Sequence, residues 1–501
     1  MLKLKAKSLK IEAGKAIVIL HRDDAEELSV HMSDRVLISC GKKSITAILD
    51  LSDDGIGKGH IGLFDEARKD IGAKEGSIVK VKVAEKPASV QFIKKKLDGS
   101  ELNSKEMEAI VKDVVNENLS DVELSTFVAA SYIRGYSMNE TAALTNAIVN
   151  IGEHIDFGDH VVDKHCIGGV AANRTTMLVV PIVASAGLKM PKTSSRSITS
   201  PAGTADTMEV LCPVNHSVKK IQSIVKSSGG CIVWTGAVNL APADDKIIRV
   251  RHPLSLDPQG MLLASIMAKK KSVGSDYVVI DIPVGKGAKI GDINTGKDLA
   301  HKFIELGDKI GIKVDCIVTD GSAPIGNGIG PALEAKDVLN ALKGEGSKEL
   351  VDKSCDIAGK LFEMVGKAKE GKGREMAIEI LRSGKADKKM REIIKAQGGN
   401  PKIKPDDIKI GPEKVDVKSK GTGKIKHIDN KTISRIAKTA GAPKDKSAGI
   451  YKYVNVGQEV HIGDVLYTIY AKSKEKLKEA LEIASKTPGV DLGGVILEEI
   501  E

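Results

Sequence analysis

The sequence predicts a multidomain α/β protein built from four parts. These are a β-rich, barrel-like N-terminal domain, a small α-helical domain, a mixed α/β sheet domain and a C-terminal α+β domain. Three observations carry this. At 501 residues the chain exceeds what one ordinary hydrophobic core supports. Hydrophobic alternation with turn residues fills the first 85 positions, then gives way to helical spacing. Between about 160 and 412, short β-like runs alternate with helical stretches, the pattern of a largely parallel sheet with helices on its faces.

Within residues 1–85, the runs 2–11, 15–20, 35–39, 44–51 and 77–84 are rich in β-branched and apolar residues and are separated by Gly and Asp turns. The phrase Gly59-His60-Ile61-Gly62-Leu63-Phe64-Asp65, followed by residues 67–72, is similar to the turn-and-short-helix segment of small double-psi barrels. It offers no nucleophile or metal cluster, so an assembly role is expected for this domain. From 86 to 159 the spacing is helical. Ser120 with Glu123, and Ser137 with Glu140, read as capping boxes in which hydroxyl and carboxylate satisfy end N–H groups reciprocally. Leu124, Phe127, Val128 and Ser131 then form one helical stripe, and Ala142, Ala143, Leu144, Ala147 and Ile148 another. In the α/β region the β-like runs are 176–186, 231–234, 277–282 and 313–319, while 367–374 reads as an exposed Lys/Gly loop. Ligands in such sheets collect beyond the carboxyl ends of strands. From about 416 to 501, helices at 432–438 and 474–484 lie between short strands, with a turn at 457–464 resembling that of a barrel-sandwich.

Composition narrows the classes. No run approaches the ~18 apolar residues of a membrane span, and the N-terminus lacks the apolar core of a signal peptide, so a cytoplasmic location is expected. The six cysteines contain no C-x-x-C pair, which argues for reduced thiols rather than a zinc site or a disulfide framework. The formal charge of +9 comes from lysines interspersed with Asp and Glu, without aromatic interleaving. That is a solvated surface rather than a nucleic-acid footprint, and a positive field suits a small anion.

The stretch Lys164-His165-Cys166-Ile167-Gly168-Gly169-Val170, with Thr175-Thr176 beyond it, is the most informative. Paired glycines let a phosphate approach backbone N–H groups, and a following helix points its positive end at the anion. Lys164 supplies a point charge, His165 a donor or proton carrier, and Thr175 a hydroxyl. Alone, these residues fit a structural glycine turn as well as an anion site. A second polar cluster runs from Ser194 through Ser195, Arg196, Ser197, Ile198, Thr199 and Ser200 to Thr204 and Asp206.

Together the two clusters resemble the pyrimidine and thymidine nucleoside phosphorylases and, more closely within that superfamily, the archaeal AMP phosphorylases. Further motifs occur in the same order: residues 93–99, Asp257 with residues 265–270, residues 285–289, Thr319-Asp320-Gly321, and residues 330–334. The resemblance runs from about Pro87 to the C-terminus. It implies a fold of the nucleoside phosphorylase/phosphoribosyltransferase type, in which 86–159 and 240–272 form the α domain, 160–239 and 273–415 the α/β phosphate-binding domain, and 416–501 the last domain. The implied reaction is reversible phosphorolysis of AMP, with CMP and UMP as further substrates, to free base and α-D-ribose 1,5-bisphosphate. It uses inorganic phosphate as co-substrate, with no cofactor and no metal.

By that resemblance Lys164, Thr175, Ser194 and Thr204 match phosphate-binding positions, with His165 beside them. Cys166 stands where a serine is common, and a thiol is the weaker donor. Gly169 and Thr204 fall among nucleotide-binding positions. So does the loop of Ser195, Arg196, Ser197, Ile198, Thr199 and Ser200, where four hydroxyls and a guanidinium suit a 5′-phosphate. Lys289 matches a nucleotide-binding lysine, and Ser265 and Lys269, four apart on one helix face, match a pair on the base side. Asp257 matches the proton donor to the leaving base. It would need burial beside Leu254 and Leu256, away from cations, to hold a proton near neutrality. The bland reading is a helix cap ahead of Pro258, and His165 is the rival acid. Arg249 and Arg251 flank a base-binding arginine of pyrimidine-specific relatives, and spacing singles out neither.

Two other activities compete, beside the reading of a non-catalytic assembly protein, which only the β-rich N-terminal region supports. One is a thymidine or uridine phosphorylase. The other is a magnesium-dependent anthranilate phosphoribosyltransferase-like enzyme, for which Asp244-Asp245 is the only adjacent acidic pair near the core. The expected partners are the substrates and further copies of the chain, at least a dimer and larger through the N-terminal domain, with no nucleic acid and no membrane.

Overall fold

The computed structural model describes residues 1–493 apart from Ile198, Thr199, Asn239, His252 and Ser255. The chain divides into two compact units, Met1–Ile151 with Pro242–Ala264, and Gly152–Ala241 with Ser265–Glu501. The boundary falls inside the helix Gln259–Ser272, so the expected 240–272 return segment is shared between the two units.

The first unit opens with a closed six-stranded barrel. Its strands are Leu2–Ser8 (β1), Ile17–His21 (β2), Arg35–Cys40 (β3), Lys43–Ser52 (β4), His60–Leu63 (β5) and Ile78–Val83 (β6). They close in the order β1-β5-β2-β4-β3-β6, with β1–β5 and β2–β4 parallel and β6 returning antiparallel to β1. In β1, Leu4 and Ala6 point into the barrel while Lys3, Lys5 and Lys7 face water, the alternation a half-buried strand imposes. Five strands match the expected runs. The sixth, β5, lies in the segment read as turn and helix: Ile61, Gly62 and Leu63 are all buried, so no alternation marks them. The short helix Asp65–Ile71 does follow, and a further one at Arg22–Leu28 had no apolar stripe to announce it.

Behind the barrel lie the helices Ala88–Leu97, Ser104–Val115, Asp121–Arg134 and Met138–Ile151, joined by Pro242–Arg251. Both expected capping boxes form. The Glu123 N–H donates to Ser120 Oγ at 3.3 Å and the Ser120 N–H donates to Glu123 Oε2 at 2.8 Å; the Ser137–Glu140 pair matches at 3.2 and 3.0 Å. Each glutamate does a second job. Glu140 takes Lys96 Nζ at 2.8 Å in a buried pair, and Glu123 takes Arg35 Nη1 of the barrel at 3.0 Å. The N-terminal barrel is therefore tied to the helices by a charge that one of the capping boxes already needed.

In the second unit, Val162–Cys166 (β7), Met190–Ser194 (β8), Gly230–Trp234 (β9), Tyr277–Val284 (β10) and Lys313–Asp320 (β11) are all parallel to their neighbours. The sheet β11-β10-β7 continues toward β8-β9 through a parallel bridge between Val161 and Lys189. One expected strand is corrected. The run 176–186 lies in the helix Thr175–Ser185, whose Met177, Leu178, Val179 and Val180 are fully buried. A helix apolar on every face leaves no period to read, and its β-branched residues mimic a central strand. The segment 367–374 is turn as far as Lys372, where Gly373–Arg382 begins.

The C-terminal part carries two small antiparallel sheets and the helices Asn430–Thr439 and Lys474–Lys486. It is fixed to the parallel sheet by buried Asn430. The Asn430 side chain accepts the Ala171 N–H at 2.9 Å and donates to the Gly321 carbonyl at 2.9 Å. Among the described residues, no helix is long and apolar enough to cross a membrane.

Candidate functional site

Three loops at the carboxyl ends of parallel strands build the site in the second unit. After β7 the chain turns through Gly168 and Gly169, at φ +94° and +90°, a region that L side chains seldom enter. A Cβ on Gly169 would stand 2.5 Å from the Lys289 amide nitrogen. The missing side chain is what lets the 285–289 turn, just past β10, rest against the first loop. Lys164, near the end of β7, is 2% exposed and donates from Nζ to Thr175 Oγ1 at 2.7 Å, on the first residue of the following helix. Thr175 in turn donates to Asn173 Oδ1 at 3.1 Å.

The second loop follows β8. Asp206, in the first turn of the helix Thr204–Met208, gathers it: Oδ2 accepts the Ser197 N–H at 2.7 Å and the Gly203 N–H at 2.9 Å. Ser200 Oγ donates to the Ala202 carbonyl at 2.9 Å, and Ser197 bonds Ser200. Ser194 and Ser195 lie where the strand ends, with Ser194 Oγ 3.4 Å from the Ser195 carbonyl. Arg174 joins this loop to the first. It donates to Thr204 Oγ1 at 3.1 Å and to the Ala202 carbonyl at 2.7 Å, and it pairs with buried Glu334. Burial pushes the Glu334 carboxyl upward despite that arginine.

Arg196 is engaged within the protein. Its guanidinium is directed at carboxylates, with Nη2 at 2.6 Å from Glu209 Oε1 and Nη1 at 3.3 Å from Asp206 Oδ1, and it lies over the Trp234 ring. The bidentate grip that suits a phosphate oxygen pair suits a carboxylate equally, and here Glu209 takes it. Arg196 and Lys446 together hold the Glu209 carboxyl down to about 2. Ile198 and Thr199 lie outside the described residues.

Below the loops two buried charge clusters cross the sheet. Asp163 meets Lys270 at 2.8 Å and Lys192 at 3.2 Å. Burial opposes the Asp163 carboxylate, but the two lysines outweigh it and hold it below the ordinary range. Asp281 meets Lys353 at 2.9 Å and accepts Thr319 Oγ1 at 2.6 Å, and Lys353 with Lys164 keeps it ionised against its burial. These cations decide the character of their neighbours. Desolvation, then the fields of Lys270, Lys192 and Lys164, drive His165 well below its ordinary value, so it is a neutral imidazole and not the ready acid its residue type suggested. Burial also pushes the Cys166 thiol up to about 12, so it stands protonated and takes a hydrogen bond from Asn173 Nδ2 at 3.3 Å.

Asp257 belongs to the first unit, and its surroundings differ from the buried, cation-free setting expected for it. Leu254 is 52% exposed, the Asp257 side chain is 41% exposed, and Arg251 Nη1 stands 2.8 Å from Oδ1. The burial and the distance from cations required of a proton-holding carboxyl are both missing here. The cause is local: the helix Pro242–Arg251 ends on Arg251, close in the chain to Asp257. Ser265 and Lys269 do share a helix face, with Nζ 3.4 Å from Ser265 Oγ; Ser265 is buried, and Lys269 is close enough to His165 to affect its charge.

A pocket of about 870 Å³ opens where Gly169, Ser200, Gly287 and Lys289 meet the helix Asn430–Thr439. The convergence brings together three of the motifs that sequence reading treated separately. What that reading missed are the residues that hold them: Arg174, Asp206 and Glu334 for the second loop, and Asp163, Asp281, Lys192 and Lys353 beneath. Asp206 and Glu334 stood inside quoted motifs, but nothing in their spacing says which N–H or guanidinium they serve.

Comparisons with known proteins bear on the family and the fold. The description "Glycosyl transferase family, helical bundle domain" matches residues 90–152. "Glycosyl transferase family, a/b domain" matches 158–387, and "Pyrimidine nucleoside phosphorylase C-terminal domain" matches 424–490. The chain is 47% identical over 496 residues to AMP phosphorylase 1 of Archaeoglobus fulgidus, covering 99% of this chain and 98% of that one. It is 46% identical over 501 residues to AMP phosphorylase of Thermococcus kodakarensis, covering 100% and 99%. Among solved structures, anthranilate phosphoribosyltransferase from Thermus thermophilus superposes with a TM-score of 0.53 at 19% identity, covering 61% of this chain and 98% of that one. That last likeness speaks to fold alone.

Proposed function

The chain belongs to the AMP phosphorylase family and is a pentosyltransferase that phosphorolyses AMP; from that premise we propose how its residues divide the work. The observation that carries the proposal is the convergence of Gly169, Ser200 and Lys289 on one pocket. Glycine N–H groups, a hydroxyl and an ammonium are donors suited to the phosphoryl group of a nucleotide. Lys164, Thr175, Ser194 and Thr204 hold inorganic phosphate near C1′, with His165 as a neutral donor at most. Ser265 and Lys269 lie on the base side. CMP and UMP are accepted with AMP.

In the proposed reaction a phosphate oxygen attacks C1′ from one face while the N-glycosidic bond breaks on the other. The products are α-D-ribose 1,5-bisphosphate and adenine, and the proton the base requires comes from Asp257. Bringing the two reactants into line is worth as much as ~7–11 kcal/mol in favourable cases, and that is the contribution asked of the anion-holding loops. For Asp257 to reach the base, its pair with Arg251 must open when substrate binds. Asp244-Asp245 has no assigned role, and the reaction is proposed to need no metal: donors on the protein carry the phosphate charge, so turnover should survive complete chelation of divalent ions. The working form is proposed to be a homo-oligomer, at least dimeric, with the N-terminal barrel serving assembly in the cytoplasm.

The decisive assay measures phosphate-dependent release of base from AMP, CMP, UMP, GMP and dTMP, then repeats AMP with Asp257→Asn. Retained AMP binding with lost rate is the expected outcome. Weakened binding at an unchanged maximal rate would remove Asp257 from the chemistry, and CMP or UMP inert beside active AMP would narrow the substrate range.

A further inference from the structure

One wall of the 870 Å³ pocket belongs to the C-terminal domain, and no motif in the sequence pointed to it. The helix Asn430–Thr439 presents Lys431, Ser434, Arg435 and Lys438 to the pocket, spaced i, i+3, i+4 and i+7 and so along one face. Its other face buries Ile433, Ile436 and Ala437 in the domain core. All three cationic residues are exposed, and none makes an ion pair among the described residues.

Two comparisons within the molecule give this weight. Among the described residues no carboxylate lines the pocket, although Asp and Glu are spread through the chain. The nearest by sequence, Asp429, is occupied in capping the helix, where Oδ2 accepts the Thr432 N–H at 2.7 Å. By contrast, the 670 Å³ cavity of the first unit has lysines already neutralised, Lys246 by Glu117 at 2.6 Å and Lys15 by Asp121 at 2.8 Å. A concavity lined, among the described residues, by no carboxylate and by the three cations of this helix attracts a multiply charged anion, and the buried Asn430 anchor sets this helix against the glycine loop rather than leaving it free.

We propose that Arg435 and Lys438, supported by Lys431, are specificity residues that grip the 5′-phosphate of the nucleotide from the C-terminal domain, facing Lys289 and Ser200 across the pocket. This rests on the reading of Lys289 and Ser200 as nucleotide-binding. It assigns the preference for a nucleotide over a nucleoside to both walls of the pocket, of which the family motifs reveal one.

The test is calorimetric binding of AMP, ribose 5-phosphate and adenosine to the full-length chain, with melting curves to establish that each variant folds. Arg435→Ala and Lys438→Ala should each weaken AMP and ribose 5-phosphate about 10-fold, and the double variant about 30-fold or more. Adenosine should change less than about 2-fold, since it offers no charge to lose. Arg435→Lys should recover part of the loss, and raising salt should cost the wild type more AMP affinity than the double variant. Unchanged AMP affinity in the double variant overturns the proposal, as does an equal loss of AMP and adenosine, which would mark a structural role. Lys289→Ala separates the two readings. If it alone impairs AMP selectively, the pocket stands and the C-terminal contribution falls. If the wild type itself binds AMP no better than adenosine, the underlying assignment of the pocket falls.

Discussion

Gly168 and Gly169 offer a controlled comparison, because their backbones are nearly alike and their surroundings are not. Both sit near φ +90°, so alanine at either carries the left-handed penalty of about 1–2 kcal/mol. At Gly168 the added Cβ meets nothing within 4 Å; at Gly169 it stands 2.5 Å from the Lys289 nitrogen and 3.2 Å from the Ala288 carbonyl carbon. Backbone cannot rotate away as a side chain can, so the 285–289 turn must shift by several tenths of an ångström, an overpacking strain of about 1–3 kcal/mol. Gly168→Ala should therefore lose about 1–2 kcal/mol of stability and Gly169→Ala about 2–5 kcal/mol. Denaturant unfolding of the two variants gives the difference, and AMP titration reports the displaced Lys289 as weaker binding in Gly169→Ala. Equal destabilisation of the two variants would refute the close approach on which the pocket depends. A larger binding loss in Gly168→Ala without extra destabilisation would place the nucleotide over Gly168 instead.

The remaining expectations concern charge. Glu209 titrates near 4.5 when unfolded and near 2 when held by Arg196 and Lys446, so its contribution is present above pH 4.5 and lost as pH falls toward 2. The shift sets a ceiling of about 3 kcal/mol, which solvent access reduces to about 1 kcal/mol; acid titration of the wild type against Glu209→Gln should show that difference, and identical acid curves would deny the pair its role. Asp281→Asn keeps shape but leaves Lys353 and Lys164 buried without their counter-charge, and should cost about 3–5 kcal/mol by denaturation. A cost under about 1 kcal/mol would mean the cluster relaxes. With His165 driven well below its ordinary value, the pH profile of kcat/KM should have no limb near 6.5, and His165→Asn should not change its shape. A limb there that vanishes in the variant would restore His165 as the acid.

The local signals were legible because each is set by a few neighbouring residues. A capping box needs a hydroxyl and a carboxylate three apart, and both formed at Ser120 and Ser137. Barrel strands facing water alternated and were readable, whereas β5 and the Thr175–Ser185 helix, buried on every side, carried no period. The glycine, serine and lysine motifs marked loops that meet at one pocket, here proposed to hold the nucleotide, since anion binding demands particular residue types at a loop. Charge partners were not legible: nothing in the spacing says that Arg196 pairs with Glu209 or that Asp257 lies exposed beside Arg251. Residue order dictates which groups can ionise and where backbone can turn. Which charge stands beside which, how far water reaches them, and which helix forms the far wall of a pocket follow from packing between segments remote in the chain, because Coulomb and desolvation energies depend on distances that only the folded molecule sets.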